Sequence, residues 1–335
     1  LVGRVAAEYR TGYLLLTDAG DDLAADVAGR LRHDADRGLP PGLPAVGDVV
    51  EYRPVPGELR AVITAVRPRT SLLVRKEPGR RTAAQVLAAN VDVAFLVSAL
   101  PDGVNPRRLE RYLALAWDGG ARPVLLLNKA DLCPDPAPFV AAMSAIAPDV
   151  PVHVVSAAGG SGLTELEPYF AGGSAAVLLG PSGVGKSSLI NRLLGREAQP
   201  TAAIRPDGRG RHTTTQRQLF PRPGGGLILD TPGLRELALW EGGDGVDTAF
   251  AEVADLAGGC RFRDCTHRAE PGCAVRAAAE AGTLPPERLE NYRKLQAELA
   301  HLDRRADAKA RAERKRQDRA GCREVRRALK RKGRG

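Results

Sequence analysis

Short apolar and polar runs alternate over the first 75 residues of the chain. Runs such as YLLLTD, VGDVVEYR and LRAVITAVRPRTSLLVR are separated by Gly/Pro clusters such as GLPPGLP. Alternation with a period of two predicts strands with one buried face, and the glycines and prolines predict turns between them. Residues 1–75 are therefore expected to form a small all-β unit. A five-stranded OB-type barrel is the first expectation and an SH3-like barrel is the alternative.

A different pattern begins near residue 90. Continuous apolar runs, typical of strands buried on both faces, alternate with amphipathic stretches such as PRRLERYLALAWDGG and GKSSLINRLLG. The runs are VDVAFLVSAL, PVLLLN, VPVHVVSA, AAVLLG, LFPR and GGLILD. This alternation predicts a mostly parallel α/β sheet with helices on both faces, and ligands that bind beyond the carboxyl ends of its strands.

The run AAVLLG leads into a glycine-rich loop, GPSGVGKSS. A strand before the loop and a helix after it are the context that a phosphate-binding loop requires. The backbone N–H groups of such a loop point at the β-phosphate, Lys186 can bridge the β- and γ-phosphates, and the Ser187 hydroxyl can ligate Mg²⁺. The predicted phosphate contacts are Gly180, Pro181, Ser182, Gly183, Val184, Gly185, Lys186, Ser187 and Ser188.

The motif NKAD follows the strand PVLLL and is expected to select the base. The Asp131 carboxylate can accept from guanine N1–H and from the exocyclic amine together, whereas adenine offers no such pair. Two charge-assisted bonds of roughly 1.5–3 kcal/mol each would favour guanine by several powers of ten. Asn128 would meet N7 and O6, the Lys129 stem would cover the ring, and a backbone N–H of the Ser-Ala pair would meet O6. The predicted guanine contacts are Asn128, Lys129, Ala130, Asp131, Ser156 and Ala157.

Two further elements complete a pocket for GTP or GDP with Mg²⁺. The motif DTPG ends a strand, so Asp230 can hold Mg²⁺ through water and the Gly233 N–H can contact the γ-phosphate. Between the phosphate loop and DTPG lies RPDGRGRHTTTQ, residues 205–216, which is a switch segment or, alternatively, a plain surface loop. Its candidate Mg²⁺ ligands, of which one is needed, are Thr213, Thr214 and Thr215.

The order of these motifs is unusual, because the phosphate loop of an ordinary GTPase precedes the guanine motif. A circular permutation explains the order if the original termini are joined near residues 165–175 and new ones are opened between DTPG and VDVAFLVSAL. The pocket is then unchanged, since domain termini often lie close together at the surface. DTPG would lead directly into residues 241–335, so loss of the γ-phosphate could affect the conformation of that part of the chain.

A cysteine cluster, C-x4-C-x-H-x5-C, opens the C-terminal part. Its ligands are Cys260, Cys265, His267 and Cys273. Four soft ligands within fourteen residues predict one structural Zn²⁺ rather than disulfides. The helical stretch that follows, PPERLENYRKLQAELAHL, is expected to pack on the zinc unit. Its apolar side comprises Leu289, Tyr292, Leu295, Leu299 and Leu302.

Charge is distributed unevenly along the 335 residues, whose net charge is +9. Residues 303–335 contain fifteen Lys/Arg and five Asp/Glu, which leaves 34 and 35 for the rest of the chain. Clustered basic residues displace counterions from phosphates, so nucleic-acid contact is favoured over a role in solubility alone. No run of about eighteen apolar residues and no signal pattern occurs, so a cytoplasmic protein without membrane contact is expected.

Taken together, the order NKAD, SA, GPSGVGKSSLIN, GRGRHTTT, DTPG and C-x4-C-x-H-x5-C behind a β-barrel resembles the RsgA family, also called YjeQ or YloQ. The resemblance covers nearly the whole chain, with the tail as its least similar part. It implies an OB-fold (1–75), a circularly permuted P-loop GTPase domain (80–240), a zinc-binding domain (241–302) and a basic helical or disordered tail (303–335).

The resemblance also implies a function. Members of the family are GTPases that the ribosome stimulates during late maturation of the 30S subunit. The implied partners are the 30S subunit with its 16S rRNA, other assembly factors are further candidate partners, and the chain is expected to be a monomer.

One catalytic position departs from Ras-like enzymes, in which a glutamine after DxxG orients the attacking water. Leu234 stands there and cannot do so. His212 in the threonine-containing loop is the candidate replacement, and the family resemblance points the same way; a histidine that binds rRNA or faces solvent is the alternative.

Two other classes of function are less well supported by the sequence. A GTP-dependent enzyme acting on tRNA would need a second catalytic constellation. A non-hydrolysing RNA-binding module would leave Lys186 and Asp230 unexplained.

Overall fold

The structure is a computed structural model that describes residues 1–76, 84–196, 217–230, 244–300 and 304. Within these residues it comprises a barrel, a parallel sheet with helices on both faces, and helices around the cysteine cluster. Among the described helices, none has the length and apolar character that crossing a bilayer requires.

Five strands close the N-terminal barrel. They are β1 (Val2–Tyr9), β2 (Gly12–Thr17), β3 (Asp22–Val27), β4 (Val49–Pro54) and β5 (Arg60–Val66). Their order is β1-β2-β3-β5-β4, and β4 pairs back onto β1. The side chains of Val5, Leu15 and Ile63 are fully buried inside it. This closure confirms the OB-type expectation.

Two features at the barrel depart from the sequence pattern. A helix, α1 (Gly29–Asp36), lies between β3 and β4, and none of its side chains is buried, so no apolar stripe marks it. The run containing β6 (Leu72–Lys76) resembles the barrel strands. In the structure β6 instead pairs with β7 (Ala84–Ala89) as a separate two-stranded sheet.

Six strands form the predicted parallel sheet. They are β8 (Val93–Ala99), β9 (Arg122–Asn128), β10 (Val152–Val154), β11 (Ala175–Leu179), β12 (Gln218–Pro221) and β13 (Leu227–Asp230). Their order is β10-β9-β8-β11-β13-β12, with only β12 antiparallel to its neighbour β13. Because β12 also pairs with β1, the barrel and this sheet are joined through backbone hydrogen bonds.

Helices cover both faces of the sheet. On one face lie α2 (Pro106–Asp118) and α3 (Ala137–Ile146); on the other lie α4 (Lys186–Leu194) and the 3₁₀ segment Leu163–Gly173. Strands buried on both faces explain the continuous apolar runs. The 3₁₀ segment joins β10 to the central strand β11, and it overlaps the junction that the circular permutation predicts.

The C-terminal part contains α5 (Asp244–Ala249), α6 (Ala251–Ala257), α7 (Ala274–Glu280) and α8 (residues 286–300). The predicted apolar side of α8 is buried at Leu289, Tyr292, Leu295 and Leu299, while Leu302 lies outside the described residues. Tyr292 contacts the Phe250 ring at 5.5 Å between centroids, and polar side chains of α8 also reach α2. The helix therefore packs on more than the cysteine unit.

The start of α5 lies directly against α2. The Gly245 N–H donates to Asp118 Oδ1 at 2.6 Å. A Cβ at Gly245 would come within 2.3 Å of the Ala114 carbonyl oxygen, so only glycine allows this close approach. The chain thus returns to α2 immediately beyond residues 231–243.

Candidate nucleotide and metal sites

Asn128, the first residue of NKAD, ends β9 with its side chain 1% exposed. Its Nδ2 donates to the Val184 carbonyl oxygen at 2.8 Å, and its Oδ1 accepts from the Ala157 N–H at 3.1 Å. One buried amide therefore connects the NKAD motif, the phosphate loop and the Ser-Ala loop. An amide NH₂ has two hydrogens, so the bond to Val184 leaves one that a base could use.

The carboxylate of Asp131 is held by a serine. Ser156 Oγ donates to Asp131 Oδ1, and the Gly159 N–H donates to the same Oγ at 2.8 Å. Ser156 is buried, whereas Asp131 is exposed and open to a ligand. The sequence predicted a backbone role for Ser156 and missed its side chain, because no local spacing shows that these two residues meet.

The phosphate loop depends on glycines at both ends. A Cβ at Gly180 would lie 2.5 Å from the Val97 carbonyl oxygen of β8. Gly185 has a φ of +93°, and a Cβ there would lie 2.4 Å from Asn128 Nδ2. Because these two positions are glycines, the backbone of the loop can lie close to β8 and to Asn128 of the NKAD motif.

Lys186 begins α4 directly after this loop. Its ammonium donates to the carbonyl oxygens of Gly180 and Pro181 at 2.8 and 2.7 Å. Those bonds hold the charge over the loop, where phosphate oxygens are the expected alternative partners. The start of a helix behind the loop adds its positive dipole end to the same position.

Asp230 ends β13, the strand next to β11. Ala175 and Val177 of β11 lie opposite Leu227 and Leu229 in parallel register, so both strands finish at the same edge of the sheet. Asp230 therefore lies at the edge that carries the phosphate loop. The Mg²⁺ role predicted for Asp230 requires this placement at the edge that carries the phosphate loop.

Several predicted site residues lie outside the described residues. They are His212, Thr213, Thr214, Thr215 and Gly233, together with Leu234.

The four predicted metal ligands meet at one point. Their ligand atoms all lie within 4.8 Å of one another. Cys260 Sγ is 3.9 Å from Cys273 Sγ, and His267 Nδ1 is 3.6 and 3.5 Å from these two sulfurs. Tetrahedral zinc with Zn–S of about 2.3 Å and Zn–N of about 2.0 Å requires edges of roughly 3.8 Å and 3.5 Å. The donor set therefore fits a structural Zn²⁺. Burial lowers the pKa of His267, which favours the neutral imidazole that a metal needs.

Two residues outside the cysteine spacing support this unit. Arg293 of α8 donates to the His267 carbonyl oxygen. Glu270 accepts from the Arg268 N–H at 2.8 Å and also from Thr266, whose hydroxyl is the main cause that lowers the pKa of Glu270 to about 2. The sequence did not predict either role, because Arg293 follows the cluster by twenty residues and Glu270 resembles any surface acid.

Comparison with known proteins identifies relatives over most of the chain. A model of the RsgA GTPase family matches residues 66–240, more than half of the chain. The chain is 48% identical over 317 residues to the small ribosomal subunit biogenesis GTPase RsgA of Streptomyces coelicolor, covering 93% of this chain and 84% of that protein. It is also 48% identical over 332 residues to the protein of the same name from Opitutus terrae, covering 94% and 88%.

Solved structures are similar as well. YjeQ from Thermotoga maritima matches with a TM-score of 0.67 at 30% identity, covering 89% of this chain and 98% of that one. YloQ, described as a circularly permuted GTPase, matches with a TM-score of 0.65 at 23% identity, covering 90% and 95%. The second likeness concerns the fold alone, and it agrees with the permuted order of the motifs.

Proposed function

The chain belongs to the RsgA GTPase family, and from this premise we propose that it hydrolyses GTP in late maturation of the 30S ribosomal subunit, binds 16S rRNA there and is stimulated by the subunit. GTP hydrolysis with Mg²⁺ follows from the family itself. The observation that carries the proposal at the site is the hydrogen bond from Asn128 Nδ2 to the Val184 carbonyl oxygen, which holds the NKAD motif against the phosphate loop while Asn128 Oδ1 accepts from Ala157. The activity is assigned to the cytoplasm, where such subunits are assembled.

We assign separate tasks to the residues of this pocket. Asp131, fixed by Ser156, selects guanine through its paired acceptor oxygens. The loop from Gly180 to Ser188 holds the phosphates, with Lys186 as its cation. Mg²⁺, when bound, offsets charge on the β- and γ-phosphate oxygens, and Ser187 and Asp230 would hold it together with one of the three threonines.

Activation of the attacking water needs a group that the DTPG motif does not supply. Leu234 cannot accept a hydrogen bond from water, so hydrolysis by the isolated protein should be slow. We assign this task to His212, brought to the water by contact with the ribosomal subunit. The basic character of residues 303–335 supports the same partner, since phosphate-rich RNA attracts such segments.

The test measures GTP turnover by the purified protein with and without purified small subunits. We expect slow turnover alone, much faster turnover with subunits, and none in either condition for Lys186→Ala. His212→Ala should keep its affinity for GTP and lose the stimulation. Equal rates with and without subunits would reject stimulation while leaving the GTPase assignment intact, and undiminished stimulation of His212→Ala would reject the role of that residue.

A further inference from the structure

Helix α8 contacts the outer side of α2 through several side-chain hydrogen bonds. Arg111 makes two hydrogen bonds to the Glu298 carboxylate, at 3.0 and 2.5 Å. Four residues earlier, Arg107 Nε donates to Asn291 Oδ1 at 2.8 Å. These contacts span more than 180 residues of sequence and join the nucleotide-binding part to the C-terminal part.

Arg288 at the start of α8 makes further contacts with α2 and with the segment around α6. Its guanidinium pairs with Glu110 of α2 at 2.8 Å and with Glu252 of α6 at 2.5 Å. It also donates to the Ala249 carbonyl oxygen at 2.7 Å and stacks over the Phe250 ring, 4.4 Å from its centroid. Glu110 is 1% exposed, so its bond to Arg288 is shielded from water. Bonds of this kind fix the relative position of α2, α6 and α8.

The opposite side of α2 borders the phosphate loop less tightly. Leu109 and Tyr112 of α2 line a cavity of about 260 Å³ together with Pro181 and Val184 of the loop. Side chains that face a cavity lack the dispersion contacts that close packing would supply. The contacts to α8 on the other side therefore add to the core packing of Leu109 and Tyr112 in setting the position of the first turns of α2 beside the loop.

We propose that α8 positions α2 beside the phosphate loop, with Arg111 and Glu298 as positioning residues for nucleotide binding. The same helix is tied to the cysteine cluster, because Arg293 donates to the His267 carbonyl oxygen and the Tyr292 ring lies 6.0 Å from that of His267. The C-terminal unit and the nucleotide pocket are thus coupled through α2. Neither positioning residue contacts the reacting atoms.

A charge exchange tests this coupling in the full-length protein without ribosomes. Arg111→Glu and Glu298→Arg each place like charges together, and the double variant restores an opposite pair. Each single variant should bind fluorescent GDP roughly twofold to thirtyfold more weakly, the range expected for residues that couple two sites, and the double variant should recover. KM for GTP should rise while kcat at saturation stays near that of the unchanged protein, and zinc content should stay at one per chain.

The matched control is Arg30→Met, which removes an exposed ion pair with Asp34 that lies within α1 of the barrel, away from α2 and α8. It should bind GDP like the unchanged protein. Single exchanges that bind GDP as tightly as this control, or a double variant as weak as the singles, would overturn the proposal.

A second measurement needs no variant. Coupling is reciprocal, so GDP must stabilise the docking of α8 by the same factor by which docking improves GDP binding. Hydrogen exchange of the unchanged protein should therefore slow in residues 286–300 when GDP is added, while amides of the barrel strand β3 keep their rates. Unaltered exchange in α8 at saturating GDP would contradict the coupling regardless of how the variants fold.

Discussion

Asn128 Nδ2 lies 2.8 Å from the carbonyl oxygen of Val184, which joins the proposed base-selecting motif to the phosphate loop 56 residues later in the chain. The Ala157 N–H completes the arrangement by donating to the other end of the same amide. The bond to Val184 is buried and the bond from Ala157 is partly buried, and a buried polar group left without a partner costs about 1–3 kcal/mol. The two ends of the proposed nucleotide site are therefore connected by a single side chain.

Replacing Asn128 with alanine should weaken nucleotide binding strongly. The change leaves the Val184 carbonyl oxygen and the Ala157 N–H unpaired and separates the two loops, so affinity for GDP should fall by about one to two powers of ten. Calorimetric titration measures the loss. Ser174→Ala removes one exposed hydrogen bond, to the Ala171 carbonyl oxygen, and should leave the affinity unchanged. Equal affinities for the two variants would show that Asn128 does not organise the pocket.

Asp131→Asn should change which base is preferred. The carboxylate can accept two guanine hydrogens, whereas an amide presents N–H groups that suit the extra carbonyl of xanthine. Binding of GDP should drop by at least about a hundredfold, while xanthosine diphosphate should gain affinity relative to the unchanged protein. Competition against a fluorescent nucleotide compares the two. If both nucleotides weaken by the same factor, Asp131 does not contact the base.

Removing one ligand from the cysteine cluster should release the metal. Serine is a poor zinc ligand, so Cys273→Ser should lose zinc and destabilise α7, which begins directly after Cys273, and α8, whose Arg293 bonds to the His267 carbonyl oxygen. Zinc content per chain and the thermal midpoint report the two effects. Cys133→Ser is the matched control, because this thiol lies outside the cluster and donates to the Asp135 carbonyl oxygen. Full zinc in both variants would contradict the site.

Deleting residues 303–335 should weaken attachment to the small subunit. The segment carries fifteen basic and five acidic residues, and each phosphate that the truncated protein no longer neutralises reduces the slope of log affinity against log salt by about 0.7–0.9. Sedimentation with subunits at several salt concentrations measures both affinity and slope, and GDP binding by the truncated protein serves as the control. An unchanged slope would restrict the segment to a role in solubility.

The barrel, the parallel sheet and the cysteine cluster could be predicted from the sequence because each has a local signature. Every apolar run from VDVAFLVSAL to GGLILD contains a strand, since strands buried on both faces need unbroken apolar residues. Cys260 to Cys273 span only fourteen residues, so spacing alone indicates a metal. The helix α1 escaped prediction because none of its side chains is buried.

The contacts that join distant parts could not be predicted. Arg111 and Glu298 are 187 positions apart, and each resembles a solvated charge on the surface of a helix. The bond from Ser156 to Asp131 could not be predicted from the sequence either, because a serine that fixes a carboxylate has the same local sequence as one that does not. Such pairs depend on how helices and loops pack, which local patterns do not encode.

Glu110 should contribute less to the stability of the protein as pH rises, which is the opposite of the usual effect of a carboxyl group. Burial raises the pKa of Glu110 above its ordinary value of 4.5, although Arg288 acts to lower it and Glu252 acts in the same direction as burial. A raised pKa in the folded state means that the contribution of Glu110 to stability is complete below a pH of about 4.5 and is lost as pH rises through the folded-state value. Glu110→Gln stays neutral at every pH.

The variant should therefore gain stability relative to the unchanged protein as pH rises from about 4.5 toward neutrality, and the difference should become constant above the folded-state pKa of Glu110. Thermal midpoints of both proteins at closely spaced pH values measure this difference, in which titrations common to the two chains cancel. A difference that stays flat, or that moves in favour of the unchanged protein with rising pH, would show that the pKa of Glu110 is not raised in the folded protein.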